Sequence, residues 1–169
     1  MIRALAITAS IVLLASCHKP ETLGYRVIST RPHDPDCYTQ GLEFSGNRLF
    51  ESGGLYGEST VREVDPATGA VLRKRPMAKY VFAEGITLRD QTMWVLTWKE
   101  KTAYVLERDT FKVIATHAYP GEGWGLTHDG KHLVMSDGSS TLKFLNPDTF
   151  AVEKTLEVRD QGRPVEKLN

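Results

Sequence analysis

Glu84 lies in the stretch Tyr80-Val81-Phe82-Ala83-Glu84-Gly85-Ile86-Thr87, beside an aromatic ring and just ahead of an apolar, strand-like run. A carboxylate placed beside Phe82 and followed by glycine is where burial raises a pKa towards neutrality, as a proton-shuttling group requires. A lone glutamate is more often a solvated loop residue. What distinguishes Glu84 is that its position recurs. Gln40-Gly41-Leu42-Glu43, Glu84-Gly85-Ile86-Thr87 and Trp124-Gly125-Leu126-Thr127 each read as a special residue, a glycine, an aliphatic residue, then Thr or Glu. The steps are 44 residues from Gln40 to Glu84 and 40 from Glu84 to Trp124, and a further 45 residues reach Asn169 at the end of the sequence.

The elements that must position these residues follow the same register. A turn comes after each glycine, and then an apolar strand closing on a hydroxyl residue: Leu49 to Ser52, Trp94 to Thr97 and Leu133 to Ser136. Further on come Asp65-Pro66-Ala67-Thr68-Gly69, Glu107-Arg108-Asp109-Thr110-Phe111 and Asn146-Pro147-Asp148-Thr149-Phe150. A period of about 40 to 45 residues holding short strands and tight turns marks a β-propeller blade. Such a sheet cannot bury both faces alone, so blades stack around a channel lined by their innermost strands. Matching positions then converge on one mouth, which predicts that Gln40, Glu84, Trp124 and Asn169 face one another. The fold class is therefore all-β, a β-propeller of about three blades plus the start of the next. The repeats run from about Gln40 to Tyr80, Glu84 to Tyr119 and Trp124 to Val165. Because closed propellers have at least about four blades, the expectation is a protein that is incomplete or borrows blades from a partner.

Before the repeats, Met1-Ile2-Arg3 and the apolar run Ala4 to Ala15 read as a signal sequence, too short to span a bilayer comfortably. Leu14-Ala15-Ser16-Cys17 resembles a bacterial lipoprotein cleavage box, with Cys17 as the lipidated first residue; an ordinary cleaved signal peptide is the alternative. This gives a leader over 1–17, a tether over 18–24 and the propeller domain over 25–169. It also implies export, with lipid attachment at the periplasmic face of the outer membrane or else a periplasmic location. Tyr25 to Ser29 alternates as a strand, and the prolines of Arg31 to Asp36 make a loop.

Charge is balanced at 21 basic and 21 acidic residues and scattered, which argues against a nucleic-acid partner. Cys37 is left without a disulfide partner beyond the lipid site and reads as a packing residue. The five histidines share no zinc-like spacing. Gly121-Glu122-Gly123-Trp124-Gly125 precedes a strand pattern, not the helix that a phosphate cradle needs. Lys99, Glu100 and Lys101 read as a solvated edge. Asp65 and Asp137 read as turn braces, with a structural ion in the channel left open.

Six ordered motifs carry a family resemblance: Tyr38-Thr39-Gln40-Gly41-Leu42, Glu51-Ser52-Gly53-Gly54-Leu55-Tyr56-Gly57, Phe82-Ala83-Glu84-Gly85-Ile86-Thr87, Leu96-Thr97-Trp98-Lys99, Glu122-Gly123-Trp124-Gly125-Leu126-Thr127 and Ser136-Asp137-Gly138-Ser139-Ser140. From about Tyr25 to Asn169 the sequence resembles the plant and bacterial glutaminyl-peptide cyclotransferases, or glutaminyl cyclases. The resemblance implies a five-bladed propeller that turns an N-terminal glutamine into pyroglutamate with release of ammonia, without a required cofactor, acting as a monomer when full length on peptides or proteins with N-terminal Gln. It implies that Glu84 transfers protons, that Tyr38, Phe82, Trp98 and Trp124 are pocket aromatics, and that Gln40 and Asn169 are polar channel groups. The family usually has glycine at the place of Ala83 and often phenylalanine at that of Tyr38. It also continues past the asparagine matched by Asn169, with a further tryptophan and lysine in the pocket. Trp98 and Trp124 would wall the glutamine stem, and the amides of Gln40 or Asn169, or an indole N–H, would serve the oxyanion. The competing reading is a catalytically silent propeller, a peptide-binding or scaffold module or an inactive fragment.

Overall fold

A computed structural model describes residues 23–169, so the leader over 1–17 with Cys17, and most of the tether, lie outside the described residues. Three four-stranded antiparallel sheets follow one another in sequence, each in simple meander order. The first contains β1 (Thr39–Ser45), β2 (Arg48–Gly53), β3 (Thr60–Val64) and β4 (Val71–Pro76). The second contains β5 (Ala83–Arg89), β6 (Thr92–Thr97), β7 (Thr102–Glu107) and β8 (Val113–Ala118). The third contains β9 (Leu126–His128), β10 (Leu133–Met135), β11 (Thr141–Leu145) and β12 (Val152–Glu157). These are the blades that the repeat predicts. A short hairpin, β13 (Arg159–Asp160) with β14 (Arg163–Pro164), follows the third, and its two-residue turn has positive φ at both Gln161 and Gly162.

Strand alternation decides which blade each residue faces. In β6, Met93 and Val95 join Phe50, Val61 and Ile86 in a core shared with the first blade. Trp94 and Leu96, pointing the other way, join Leu126, Leu133 and Met135 in a core shared with the third. The middle blade is thus buried on both faces, whereas all of β12 is exposed.

The turn repeated at residues 65–69, 107–111 and 146–150 closes the same way each time. The N–H of its fifth residue donates to the carbonyl of its first, at 2.8, 2.8 and 2.7 Å for Gly69, Phe111 and Phe150. All three have positive φ, a conformation uncommon for a phenylalanine. Phe111 and Phe150 are nevertheless buried, Phe111 edge-on to Phe50 of the first blade and Phe150 stacked on Trp94 of the second. In the first blade the same position meets the Pro32 carbonyl, and only glycine fits there.

The three repeat glycines mark where blades touch. A Cβ at Gly41 would stand 2.7 Å from Ile86 N, one at Gly85 2.5 Å from both Trp124 O and Leu126 N, and one at Gly125 2.7 Å from the Asn169 carbonyl carbon. Asn169 therefore meets Gly125 as the next inner strand meets the earlier glycines. It is led back by Lys167, whose N–H donates to Gly138 O at 2.7 Å.

Two sequence expectations are corrected. Tyr25 to Ser29 forms no strand and is exposed, because alternation states which face a strand would show but cannot supply the ladder partner it needs. The hydroxyl register is also off by one in the second blade. Leu42, Ile86 and Leu126 pair with Glu51, Val95 and Met135, so the equivalent of Ser52 and Ser136 is Leu96, and Thr97 falls one place later. An irregularity in pairing between Ala83 and Ile86 accompanies the slip.

Replacing Gly85 by alanine forces backbone apart between two blades, so Gly85→Ala is expected to cost about 1–3 kcal/mol in urea unfolding. Gly24→Ala, where a Cβ meets open space, is expected to stay within about 0.5 kcal/mol.

Candidate active site

The inner strands bring their first residues to one mouth. Tyr38, Gln40, Phe82, Glu84, Trp98, Trp124 and Asn169, together with Leu55, line a single cavity of about 360 Å³. All seven residues singled out from the sequence for the pocket meet there. A second cavity of about 290 Å³ runs past the repeat glycines Gly41, Gly85 and Gly125 and shares Gln40 and Asn169 with the first. Glu84 lines only the former.

Glu84 is held by its backbone and left free at its carboxylate. Its carbonyl accepts from the Ser52 hydroxyl at 2.5 Å, and the next N–H, of Gly85, donates to Trp124 O at 2.7 Å. The residue is 6% exposed, and its Oε2 is buried without a hydrogen-bond partner. Burial, reinforced by the charges of Glu122 and Glu100, pushes the carboxyl from 4.5 up to about 8. A buried group kept unpaired at the wall of a cavity is stabilising nothing in the fold, and its cost is borne elsewhere.

The aromatic wall is built around Phe82. Its ring meets Tyr38, Tyr56 and Trp98 edge-on at centroid distances of 6.2, 5.5 and 5.5 Å, the arrangement that ring quadrupoles favour. Gly54 makes room for it, since any Cβ there would collide with the Phe82 ring. The Phe82 N–H donates to Glu100 Oε2 at 3.2 Å, and the Tyr56 hydroxyl donates to Glu100 Oε1 at 2.9 Å. Glu100 is thus no part of a solvated edge: it braces the cavity's aromatic wall. Lys99 is exposed as expected, with its Nζ 3.7 Å from the centre of the Trp98 ring. Lys101 is exposed as expected.

Glu122 is the main residue that sequence reasoning missed. Its Oε2 accepts from Trp98 Nε1 at 2.7 Å and from Trp124 Nε1 at 2.9 Å, and these two donors hold its carboxyl below the usual carboxylate range. Both indole N–H groups are therefore occupied, which removes them as oxyanion donors and leaves the amides of Gln40 and Asn169. Its signal in the sequence was a glutamate two residues ahead of the repeat tryptophan. Leu55 was missed as well. It reaches the cavity from a turn in which it has φ 81°, a strained state for a leucine.

Three further residues act locally. Asp65 Oδ1 accepts from the Ala67 N–H at 2.7 Å, and Asp137 accepts from Ser139 and pairs with Lys143 at 2.7 Å, so both brace turns. The Cys37 sulfur packs on Gly53, and burial lifts its thiol to about 11, far from a nucleophile's range. Among the described residues no group of three His, Cys, Asp or Glu residues is placed to hold a metal ion.

Comparison with known proteins agrees with this picture. Residues 2–169 match the family described as glutamine cyclotransferase. A glutaminyl-peptide cyclotransferase of Arabidopsis thaliana is 43% identical over 145 residues, which are 85% of this chain and 45% of that protein. The crystal structure of Myxococcus xanthus glutaminyl cyclase superposes with a TM-score of 0.77 at 32% identity, over 83% of this chain and 60% of that one. The Neurospora crassa Pan2 WD40 domain, at 12% identity and a TM-score of 0.59 over 72% of this chain and 36% of that one, shares the fold alone. The chain spans about half the length of the curated relative it matches. With its blades, its inner-strand register and its single unpaired cavity carboxylate in place, the chain belongs to the glutamine cyclotransferase family.

Proposed function

We propose that this protein holds the catalytic cavity of a glutaminyl-peptide cyclotransferase, with Glu84 moving the proton. The observation that supports this most directly is the buried, unpartnered Glu84 Oε2 in a cavity walled by Phe82, Trp98 and Trp124. The substrate class is a peptide or protein with N-terminal glutamine, as the names of the relatives suggest.

In the reaction the α-amino nitrogen attacks the γ-carboxamide carbon, a new C–N bond closes a five-membered lactam, and the bond from that carbon to the amide nitrogen breaks. The proton lost by the attacking nitrogen must reach the departing one, which leaves as ammonia. Glu84, entering protonated, delivers a proton to the departing nitrogen and takes one from the attacking nitrogen, so its own state is unchanged over the cycle. The rings of Phe82, Trp98 and Trp124 hold the glutamine stem folded and exclude water, which supplies the proximity that an intramolecular closure exploits. The amides of Gln40 and Asn169 are the donors for the oxyanion that forms at the carboxamide oxygen.

The pKa of Glu84 suits this task. A free α-amine titrates at about 7.7–8.0, beside the value of about 8 for Glu84. Proton exchange between them is nearly isoenergetic, and the productive state is the one in which the pair carries a single proton. Attachment to a membrane through a lipidated Cys17, and a monomeric state of the full-length protein, are proposed from the sequence and resemblance alone.

Three measurements test the reading. With a Gln-initiated dipeptide, ammonia release should fall by roughly 10²–10⁴ in Glu84→Gln and be indifferent to a chelator. A folded wild-type sample that releases no ammonia, or a substitution without effect, overturns it. The kcat/KM profile should peak near pH 8, falling about tenfold per pH unit well to either side, because lower pH adds a proton to the amine and higher pH strips Glu84. Stability should move the opposite way to that of an ordinary salt-bridged acid. Since folding raises the pKa of Glu84, its burial costs nothing below pH 4.5, costs more as pH rises to 8, and is constant above. Glu84→Gln should therefore match wild type in thermal unfolding at pH 4.5 and exceed it at pH 9, by at most about 5 kcal/mol.

A further inference from the structure

The two indoles that wall the cavity come from different blades. Trp98 follows β6 of the second, and Trp124 precedes β9 of the third. Nothing in either strand ladder fixes how their rings stand relative to each other. What joins them is one oxygen, Glu122 Oε2, which accepts from Trp98 Nε1 at 2.7 Å and from Trp124 Nε1 at 2.9 Å. The segment bearing Glu122 is itself tied to both sides. The Gly123 N–H donates to Trp98 O at 3.0 Å, and the Trp124 N–H donates to Ser136 O at 3.0 Å.

We propose that Glu122 is a positioning residue: its carboxylate clamps the Trp98 and Trp124 indoles into one wall across two blades and keeps a fixed negative charge beside Glu84. The proposal rests on the cyclotransferase reading for its consequence in catalysis, though the clamp itself does not. Charge-assisted hydrogen bonds are about twice as strong as neutral ones, and two of them on one oxygen restrict both rings at once.

The charge on Glu122 has few competitors at Glu84. The groups that act on Glu84 are Glu122, from the segment before β9, and Glu100, from the turn after β6, both of which favour its protonated form. Tyr119, after β8, also feels Glu84 and Glu100, and its hydroxyl donates to Thr97 O. Around Glu122 itself stand Lys99, which lies over Trp98, and Asp137, which is paired with Lys143. No cation faces Glu84 among the groups that shift it, so removing one of the two acids leaves its protonated form less favoured.

Glutamine and alanine at position 122 separate the two roles. A glutamine keeps an oxygen for both indoles but removes the charge, whereas an alanine removes both. Of the three tryptophans, Trp94 is buried in the core between blades, so acrylamide quenching of tryptophan fluorescence reports chiefly on Trp98 and Trp124. In Glu122→Ala, quenching should rise at least about twofold and KM for a Gln-initiated dipeptide about tenfold. In Glu122→Gln, quenching and KM should stay within about twofold of wild type while the pH optimum falls by about half to one unit. Circular dichroism confirms that each variant is folded; should Glu122→Ala fail to fold, Glu122→Gln decides the matter. Unchanged quenching in a folded Glu122→Ala sinks the clamp. An unmoved pH optimum in Glu122→Gln sinks the charge. If the wild type releases no ammonia, the cyclotransferase reading fails separately. Quenching still decides the clamp, and the pH at which thermal stability stops falling, expected lower in Glu122→Gln, decides the charge.

Discussion

The close approach of backbone at Gly41, Gly85 and Gly125 is the constraint on which the site depends. At each of these positions the neighbouring inner strand stands so near that a single methyl group would have to displace main-chain atoms. The contact sets the spacing between blades at the axis, and it is reinforced where the Gly85 N–H donates across to Trp124 O. Because the residue before each glycine shares its backbone frame, fixing the glycines also fixes Gln40, Glu84 and Trp124 around one opening. Residues forty or more apart in sequence are thereby held as tightly as neighbours in a turn. A repeat fold gathers a site by this means without any loop having to reach across it.

The same packing explains why Glu84 can have so high a pKa. The middle blade is covered on both faces, so the start of β5 is the most thoroughly desolvated inner-strand position of the three. The equivalent Gln40 and Trp124 are only part-buried. A carboxylate at either of those places would keep more water and a more ordinary pKa. Glu84 instead loses its solvent, gains no cation, and is surrounded at a distance by two further acids. The fold tolerates this because the cost falls on one residue, while the two cores flanking the middle blade bury the apolar groups of β5, β6 and β7.

Much of this was legible in the sequence, for a physical reason: a repeat writes each inter-blade contact several times, so glycine, aliphatic and turn positions reinforce one another. The blades, the converging mouth and its residues Gln40, Glu84, Trp124 and Asn169 were readable on that ground, whereas Tyr38, Phe82 and Trp98 were legible only through the family resemblance. What escaped lacked a repeat. Glu122 has no counterpart ahead of Gly41 or Gly85, and its role depends on two indoles that meet only after the second and third blades have packed. Leu55 reaches the cavity through an irregular turn of the first blade. Glu100 looked solvated because two lysines flank it, yet its carboxylate turns inward to Phe82 and Tyr56. The one-place slip at Thr97 arose because a register read from hydroxyl residues has no means of counting an irregularity in strand pairing. Tyr25 to Ser29 had the alternation of a strand and lacked what alternation cannot encode, a partner edge.

A division of labour follows between positions inside and outside the repeat. Those on the inner-strand register, Gln40, Glu84, Trp124 and Asn169, differ chemically from blade to blade while sharing one backbone frame, so the fold can vary their functional groups without altering its own contacts. The wall residues Tyr38, Phe82 and Trp98 stand one or two places off that register, where ring-to-ring contacts rather than ladder hydrogen bonds set their orientation. Rings positioned only by edge contacts are free to shift, and the structure answers with polar anchors at their margins: Glu100 on the Phe82 backbone and Glu122 on the two indoles. Those anchors are acids, and both raise the pKa of Glu84. The groups that hold the walls in place therefore also help to keep the proton on the central carboxyl, so that the same two residues shape the cavity and add to the burial that is the main cause of Glu84's raised pKa.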